Sequence, residues 1–283
     1  MKKLFKILVN AIAMTLMVFA AFTFTACRDI KTVEVKFSVY NYTDDKFEEK
    51  TLTVNLYRHL APKTVDNVLS AIKDGYYNDT VIYQNSSATS QLMLGEFKVS
   101  GEEITKQADR PMVEGEFSAN GLNGSNLVNQ KGYIGLWRSY TKDAGSYTKT
   151  DTGMNSGTAV WYMPTSTLSS YNGYFTVFAK IDMDSDANSS AFTAIQAIFT
   201  GSHYENYEVF YTGESSDELV CHIIKTDDLA EDDNYDADAG TYGGEKIYSA
   251  TGADLVSLNR RTVRIPVLEN GARAVTVTKI NIK

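Results

Sequence analysis

Cys221 and His222 are neighbours in the sequence, and a cysteine beside a histidine could act as a nucleophile with its general base. This chemistry requires the two side chains to lie within hydrogen-bonding distance of each other. Adjacent residues of a β-strand, however, point to opposite faces of the sheet. The pair therefore does not predict a catalytic dyad, and we expect Cys221 to be a small buried apolar side chain.

Two acidic runs place oxygen-bearing side chains at alternate positions, as the first half of a calcium loop does. They are Asp182, Asp184 and Asp186, and Asp232, Asn234 and Asp236. A complete loop also has Gly at its sixth position and Glu at its twelfth, and both runs lack both residues. We expect solvated acidic loops, with a calcium-dependent adhesion module as the weakest functional alternative. The three histidines have no metal-ligand spacing with one another or with a cysteine, so neither a metal site nor a cofactor is predicted.

The first residues of the chain are typical of an export signal. Three lysines within the first six residues precede an uncharged stretch, residues 7–26, which ends in small residues before Cys27. This pattern resembles a bacterial lipoprotein signal, in which the cut falls before the cysteine and the cysteine receives a lipid. It predicts a signal peptide over residues 1–26, lipidation of Cys27, and a short tether over residues 27–32.

The alternative interpretation of residues 7–26 is an uncleaved membrane helix, because about twenty apolar residues can span a bilayer. Both interpretations place the chain from Arg28 onward outside the cytoplasm and next to a membrane. The 283-residue chain has a net charge of −8, and removal of residues 1–26, with three lysines and no acids, makes it −11. Nucleic-acid phosphates repel so acidic a protein, so nucleic acid is excluded as a partner and membrane attachment depends on the anchor.

The apolar pattern predicts mainly strands, with two helices. Alternating apolar residues predict a hairpin over residues 33–57. Pro62 begins an apolar stripe at helical spacing that stops at Gly75, which predicts a first helix. A second helix is expected over residues 189–199. The chain then closes with a hairpin, residues 262–282, built around an Asn-Gly turn.

The last strand of this hairpin changes its phase. Val275 and Val277 stand at odd positions, whereas Ile280 and Ile282 stand at even ones. Such a change predicts a β-bulge between the two pairs. No internal repeat or linker divides the rest of the chain, so residues 33–283 are expected to form one all-β domain around a closed or nearly closed sheet.

Five segments resemble, in the same order, the sequence motifs of the cyclophilins, the β-barrel peptidyl-prolyl isomerases. They are Ala-Pro-Lys-Thr-Val-Asp-Asn-Val (61–68), Gly-Tyr-Tyr-Asn-Asp-Thr-Val-Ile-Tyr (75–83), Gly-Tyr-Ile-Gly-Leu (132–136), Asn-Ser-Gly-Thr-Ala-Val-Trp-Tyr (155–162) and Tyr-Asn-Gly-Tyr-Phe-Thr-Val-Phe-Ala-Lys (171–180). The resemblance covers about residues 33–200 and the last strand. It implies an all-β dominated fold: a cyclophilin-like closed β-barrel with two capping α-helices and a long insertion at about residues 201–262.

The resemblance also implies an activity, the cis–trans isomerisation of the peptide bond before proline, with proline-containing polypeptides as partners. In that family an arginine donates a hydrogen bond to the prolyl nitrogen, and here Gln84 occupies its position. Arg138 is a second candidate for this catalytic donor. The positions that line the peptide groove of the family fall on Tyr83, Leu92, Leu94, Trp137, Ala159, Trp161, Tyr171 and Phe175.

Two functional interpretations remain open. In the first, the protein is a prolyl isomerase of exported or surface polypeptides, with activity weakened because the neutral amide of Gln84 forms a weaker hydrogen bond than a guanidinium does. In the second, it is a catalytically silent surface lipoprotein that binds peptides or proteins, since a fold does not by itself fix a function. In both, we expect a monomer on the extracytoplasmic face of the bacterial cell membrane.

Overall fold

The computed structural model describes residues 29–86, 88–101, 103–122, 127–140, 142–143, 146–147, 152–200, 204–213, 219–248 and 261–283. The predicted signal peptide and the predicted lipidation site, Cys27, lie outside these residues, as does the first part of the predicted tether. Among the described residues, none of the helices combines the length and the apolar character needed to cross a bilayer.

The described residues form nineteen strands and three α-helices. The strands are β1 (Ile30–Asn41), β2 (Lys46–Tyr57), β3 (Thr80–Val81), β4 (Tyr83–Asn85), β5 (Ala88–Leu94), β6 (Phe97–Ser100), β7 (Glu103–Lys106), β8 (Tyr133–Leu136), β9 (Lys142–Asp143), β10 (Ser146–Tyr147), β11 (Trp161–Pro164), β12 (Val177–Ile181), β13 (Tyr204–Thr212), β14 (Val220–Lys225), β15 (Tyr235–Asp236), β16 (Thr241–Tyr242), β17 (Glu245–Tyr248), β18 (Arg261–Pro266) and β19 (Val275–Ile282). The helices are α1 (Pro62–Lys73), α2 (Asp186–Ile198) and α3 (Thr226–Ala230), with 3-10 turns at Ser118–Asn120, Thr152–Asn155 and Ser169–Tyr171.

The strand pairings form a ring. In order, β1 pairs with β2, β2 with β12, β12 with β8, β8 with β11, β11 with β5 and β5 with β4. The ring is completed by β3, which pairs with β19, and by β19, which pairs with β1. Ile82 separates β3 from β4 and belongs to neither strand, so the sheet is nearly but not strictly closed at this point. The predicted all-β barrel is confirmed.

The predicted first hairpin and the predicted bulge are both confirmed. β1 lies between β2 and β19, and its alternating apolar residues are buried: Val33, Val35, Phe37 and Val39. The register between β1 and β19 shifts after Lys36, which faces Lys279, so that Phe37 faces Val277. Thr278 is the extra residue of the bulge. It allows Val277 and Ile280 to be buried although they differ in phase.

The two predicted helices pack against one core inside the barrel. α1 contributes Val65, Val68, Ala71 and Ile72, and α2 contributes Ala191, Phe192, Ile195 and Ile198. α2 begins at Asp186, three residues before the prediction, because its first turn is polar and an apolar stripe does not mark it. An acidic residue in that position interacts favourably with the helix dipole. The five-residue helix α3 was missed.

The predicted insertion, residues 201–262, contains β13 to β17 and α3. β13 pairs with β14, β17 and β18, and β18 pairs with β4 of the barrel. The added strands therefore extend the barrel sheet next to β4. The boundaries of the insertion and of the domain stay predictions.

Candidate functional site

The predicted groove residues divide between the two faces of the barrel sheet. Leu92, Leu94, Ala159 and Trp161 belong to the core inside the barrel. Tyr83, Tyr171 and Phe175 belong to a second cluster on the outer face, and Trp137 packs against it. The eight residues therefore do not meet in one groove, because alternate residues of a strand point to opposite faces.

The outer face carries a cluster of aromatic rings, which we name the outer aromatic cluster. Its members are Tyr83, Phe97, Trp137, Tyr140, Tyr147, Tyr162, Tyr171, Tyr174 and Phe175. Tyr171 and Phe175 stack with ring centres 4.4 Å apart, and Trp137 stacks on Phe175 at 5.8 Å. The ring centre of Tyr162 lies 5.8 Å from both Tyr171 and Phe175.

Tyr162 is a member of the cluster that sequence reasoning missed. On β11, Trp161 pairs with Leu94 and points into the barrel, whereas Tyr162 pairs with Met93 and points outward. The order of aromatic residues does not reveal which of two neighbours faces which side. Phe175 lies on the outer face, but the sequence does not show whether Trp161 or Tyr162 shares that face. The pairing of the strands in the folded protein is needed to decide it.

Arg138 places a positive charge on the outer aromatic cluster. Its guanidinium carbon lies 4.8 Å from the ring centre of Phe175 and 5.1 Å from that of Phe117. Its Nε donates a hydrogen bond to the Tyr174 carbonyl oxygen (2.8 Å), and its Nη1 donates one to the Ser139 carbonyl oxygen (2.5 Å). The side chain is buried. A guanidinium over an aromatic ring in a site with little water is a strong cation–π arrangement.

Gln84 is also buried, but its amide is already engaged. Its Nε2 donates a hydrogen bond of 2.7 Å to the Thr89 carbonyl oxygen. Its backbone lies opposite Arg264 in the pairing of β4 with β18. Of the two predicted catalytic donors, Arg138 is therefore the one in contact with the aromatic rings. The Gln84 amide instead forms a hydrogen bond between β4 and β5.

The segment that carries Phe117 is fixed to the N-terminus of α1. The Glu116 carboxylate accepts hydrogen bonds from the backbone N–H groups of Lys63 (3.0 Å) and Thr64 (2.8 Å). The Glu116 N–H donates to Thr176 Oγ1 at 2.8 Å. An anion at this end of a helix satisfies free N–H groups and interacts with the helix dipole. Glu116 therefore connects α1 to the strand that follows Phe175.

A polar network supports the rings from one side. The Tyr162 hydroxyl donates to Asn129 Oδ1, and Asn129 donates to Asn172 Oδ1 from its backbone N–H (2.8 Å) and its Nδ2 (3.0 Å). Gln91 Nε2 donates to the Tyr171 hydroxyl at 3.4 Å. Burial raises the pKa of Tyr162 well above its usual value, so this hydroxyl stays a donor at neutral pH.

A buried ion pair borders the cluster on the side of the insertion. Arg261 Nη2 and Nη1 donate to the two Glu96 carboxylate oxygens, and the Tyr83 hydroxyl donates to the same carboxylate. Burial opposes ionisation of Glu96, but Coulomb attraction and hydrogen bonds from Arg261 outweigh it, so the pKa of Glu96 is lowered. The pKa of Tyr83 is raised, first by burial and then by the neighbouring Glu96 charge.

The rings best suited to hold a proline side chain are covered. Phe175 is 2% exposed and Tyr171 is 7% exposed. Tyr147 covers them, with its ring centre 5.3 Å from Phe175 and 5.4 Å from Tyr171, and the Tyr140 ring lies 5.8 Å from Phe175. A ligand that reaches the stacked rings must therefore displace at least one tyrosine side chain.

Cys221 and His222 lie in different clusters. Cys221 packs against the second apolar cluster, on the outer face of the sheet, whereas the His222 ring stacks on Phe210 at 5.0 Å and its Nε2 lies 3.0 Å from Thr212 Oγ1. Burial raises the pKa of the Cys221 thiol to about 11. The thiol is half-buried and is protonated at neutral pH. The side chains of Cys221 and His222 point to opposite faces of the strand, as expected from strand geometry.

Comparison with known proteins identifies one family. A sequence model described as cyclophilin type peptidyl-prolyl cis-trans isomerase/CLD matches residues 41–207. Among solved structures, a cyclophilin type peptidyl-prolyl cis-trans isomerase of Cryptosporidium parvum is 16% identical, with a TM-score of 0.40, and the match covers 62% of this chain and 86% of that chain. A structure of the Cryptosporidium parvum isomerase in the presence of the dipeptide Ala-Pro is also 16% identical, with a TM-score of 0.36, and covers 55% and 84%. No curated protein sequence matches the chain.

Proposed function

Because the chain belongs to the cyclophilin-type peptidyl-prolyl cis-trans isomerase family, we propose that it is a prolyl isomerase of weakened activity that acts on exported polypeptides at the outer aromatic cluster. The observation that carries this proposal is the position of Arg138, whose guanidinium carbon lies 4.8 Å from the ring centre of Phe175. The arginine position of the family is held by Gln84. A cation, Arg138, is nevertheless present at the aromatic rings of the outer face.

The reaction needs an apolar surface and a donor. Rotation about a peptide bond has a barrier of roughly 18–20 kcal/mol, set by amide resonance. A protein lowers this barrier when it binds the twisted bond better than either planar isomer. The stacked rings of Tyr171 and Phe175 provide an apolar surface for a proline ring. Arg138 donates to the Tyr174 and Ser139 carbonyl oxygens, and its positive charge beside these rings can stabilise the nitrogen lone pair freed by the loss of resonance.

Two features weaken this activity. The Gln84 amide N–H already donates to the Thr89 carbonyl oxygen, so it is not free for a substrate in this conformation. The Tyr147 ring covers Phe175 and Tyr171. Binding a proline therefore costs the free energy of moving an aromatic side chain, which reduces the apparent affinity.

The covered rings also favour the second candidate function, a catalytically silent surface lipoprotein that binds peptides or proteins. Phe175, at 2% exposure, is closed to substrate in the described conformation. In this case the barrel would support binding elsewhere on its surface. The two functions differ in one measurable property, acceleration of cis–trans exchange in proportion to protein concentration.

The proposed location rests on the sequence of the first 27 residues. Export follows from the basic start and the uncharged stretch, and the lipid anchor follows from Cys27 after small residues. Labelling of cells with a radioactive fatty acid tests it. We expect label on the parent and none on a Cys27→Ser variant, whereas equal label on both would exclude lipidation at Cys27.

The enzymatic proposal is tested by exchange NMR on a short Ala-Pro-containing peptide with the full chain in non-ionic detergent. We expect line broadening or exchange cross-peaks that grow with protein concentration and that fall about tenfold or more in Arg138→Gln. Arg58→Gln is the matched control, because Arg58 forms an exposed ion pair with Asp66. Absence of exchange in the parent would favour the silent binding protein.

A further inference from the structure

A basic cleft lies beside β6 and β7, the two paired strands that also carry Phe97 of the outer aromatic cluster. It has a volume of about 520 Å³, and its wall is the stretch that follows β7. Its lining includes Lys98, Lys106 and Arg110 but only one acidic residue, Asp109. The chain as a whole has more acidic than basic residues, whereas the lining of the cleft has more basic than acidic ones.

The cations of the cleft differ in how far they are neutralised. Arg110 Nη1 lies 2.8 Å from Asp74, and its Nη2 donates to Ser70 Oγ at 3.0 Å. Lys106 lies 2.6 Å from the exposed Asp109. Within the part of the chain that the structure describes, no acidic residue forms an ion pair with Lys98. The cleft therefore keeps a net positive charge after its own ion pairs are considered.

The wall of the cleft also offers free backbone groups. Residues 108–112 belong to neither a helix nor a strand, and among the described residues no hydrogen bond joins their backbone to another group. The stretch is held at its start, where the Gln107 N–H donates to the Glu96 carbonyl oxygen (2.9 Å), and after its end, where the Val113 N–H donates to the Gly157 carbonyl oxygen (2.7 Å). A fixed segment with free C=O groups and, except at Pro111, free N–H groups can bind an extended peptide by backbone hydrogen bonding.

Apolar side chains complete the lining. The Arg110 guanidinium carbon lies 5.6 Å from the centre of the Tyr76 ring. Ala108 and Pro111 also line the cleft, and both are exposed. These small or flat side chains leave room for a polypeptide to lie along the wall. We propose that the basic cleft binds an extended acidic segment of a separate polypeptide, with backbone hydrogen bonds to residues 108–112 and carboxylates directed toward Lys98 and Lys106. This site is independent of the isomerase activity proposed above.

The test uses the full chain in non-ionic detergent and a fluorescein-labelled peptide, Glu-Ala-Glu-Ala-Glu, with Gln-Ala-Gln-Ala-Gln as its uncharged counterpart. An extended peptide with this spacing presents its three carboxylates on one side. Fluorescence anisotropy at low ionic strength should show binding of the Glu peptide that weakens as salt is added. Equal affinity for the two peptides would overturn the proposal.

Ala108→Glu is the decisive variant, because Ala108 is exposed and a new carboxylate there repels an acidic ligand without disturbing the core. We expect it to weaken binding about tenfold or more, while Ala108→Gln, of nearly the same size, has little effect. Lys98→Gln should weaken binding up to about fivefold, as expected for one exposed charge pair. Lys279→Gln, on the exposed part of β19, is the matched control, and an equal loss in this variant would contradict the site.

A second copy of this chain is the other possible occupant, because it carries its own acidic stretch at residues 227–238. Sedimentation of the parent and of Ala108→Glu distinguishes the two. We expect the same sedimentation for both proteins over the accessible concentrations. Concentration-dependent association that Ala108→Glu abolishes would overturn the assignment to a separate polypeptide.

Discussion

Arg261 and Glu96, 165 residues apart in the sequence, form a two-pronged ion pair, with Nη2 2.5 Å from Oε1 and Nη1 3.1 Å from Oε2. Glu96 follows β5 of the barrel, and Arg261 begins β18, the strand that joins the added sheet to β4. Glu96 is buried, and its carboxylate also accepts a hydrogen bond from the Tyr83 hydroxyl. The pair therefore connects the barrel, the added strands and the outer aromatic cluster.

Replacement of Arg261 by Met should destabilise the protein strongly. The variant leaves the buried Glu96 carboxylate without its cation, and breaking a buried ion pair in this way costs about 3–5 kcal/mol. Urea unfolding at pH 7 measures the change in the free energy of unfolding. Arg58→Met removes an exposed pair instead and should cost about 1 kcal/mol or less. Similar losses in the two variants would show that the Glu96–Arg261 pair is solvated.

The same pair predicts how stability depends on pH. The pKa of Glu96 is lowered from its ordinary value of 4.5 in the folded protein. A lowered pKa contributes stability that is fully present above the unfolded value and is lost as the pH falls through the folded value. The stability advantage of the parent over Glu96→Gln should therefore shrink below about pH 4.5. An advantage that stays constant down to pH 3 would contradict this assignment.

Replacement of Glu116 by Gln should weaken the start of α1. The Glu116 carboxylate accepts hydrogen bonds from the Lys63 and Thr64 N–H groups, and loss of such a charged cap costs about 1–2 kcal/mol. Thermal unfolding followed by circular dichroism measures it. Glu114→Gln is the matched control, because Glu114 forms an exposed pair with Lys63. An equal effect of the two variants would argue against a capping role for Glu116.

Replacement of Tyr147 by Ala should expose the stacked rings. The Tyr147 ring covers Phe175 and Tyr171, so its removal lowers the cost of admitting a proline ring, and exchange catalysis should rise severalfold. The free energy of unfolding should fall by about 3–5 kcal/mol, as for other buried aromatic side chains cut back to Ala. Exchange NMR and urea unfolding provide the two measurements. Tyr242→Ala, whose ring packs on Phe210 in the added strands, should lose stability without a gain in activity. Unchanged or lower activity in Tyr147→Ala would place catalysis away from these rings.

Much of the fold could be predicted from local patterns. The alternation of Val33, Val35, Phe37 and Val39 predicted β1, and Pro62 with a helical stripe predicted α1, because burial of one face imposes a period of two on a strand and of 3.6 on a helix. The change of phase between Val277 and Ile280 predicted the bulge. The start of α2 and the whole of α3 were missed, since polar first turns and a five-residue helix carry no such stripe.

The sequence by itself determined the family, the first hairpin, the first two helices and the identity of two candidate donors, because these depend on short motifs and local periodicity. Only the tertiary structure decided which donor touches the rings. It placed Trp161 inside the barrel and Tyr162 outside it, and it gave the Gln84 amide a backbone partner. A slip of one residue reverses the face of every side chain on a strand. Which face each side chain occupies is decided by the register in which distant strands pair, and the local sequence pattern does not predict that register.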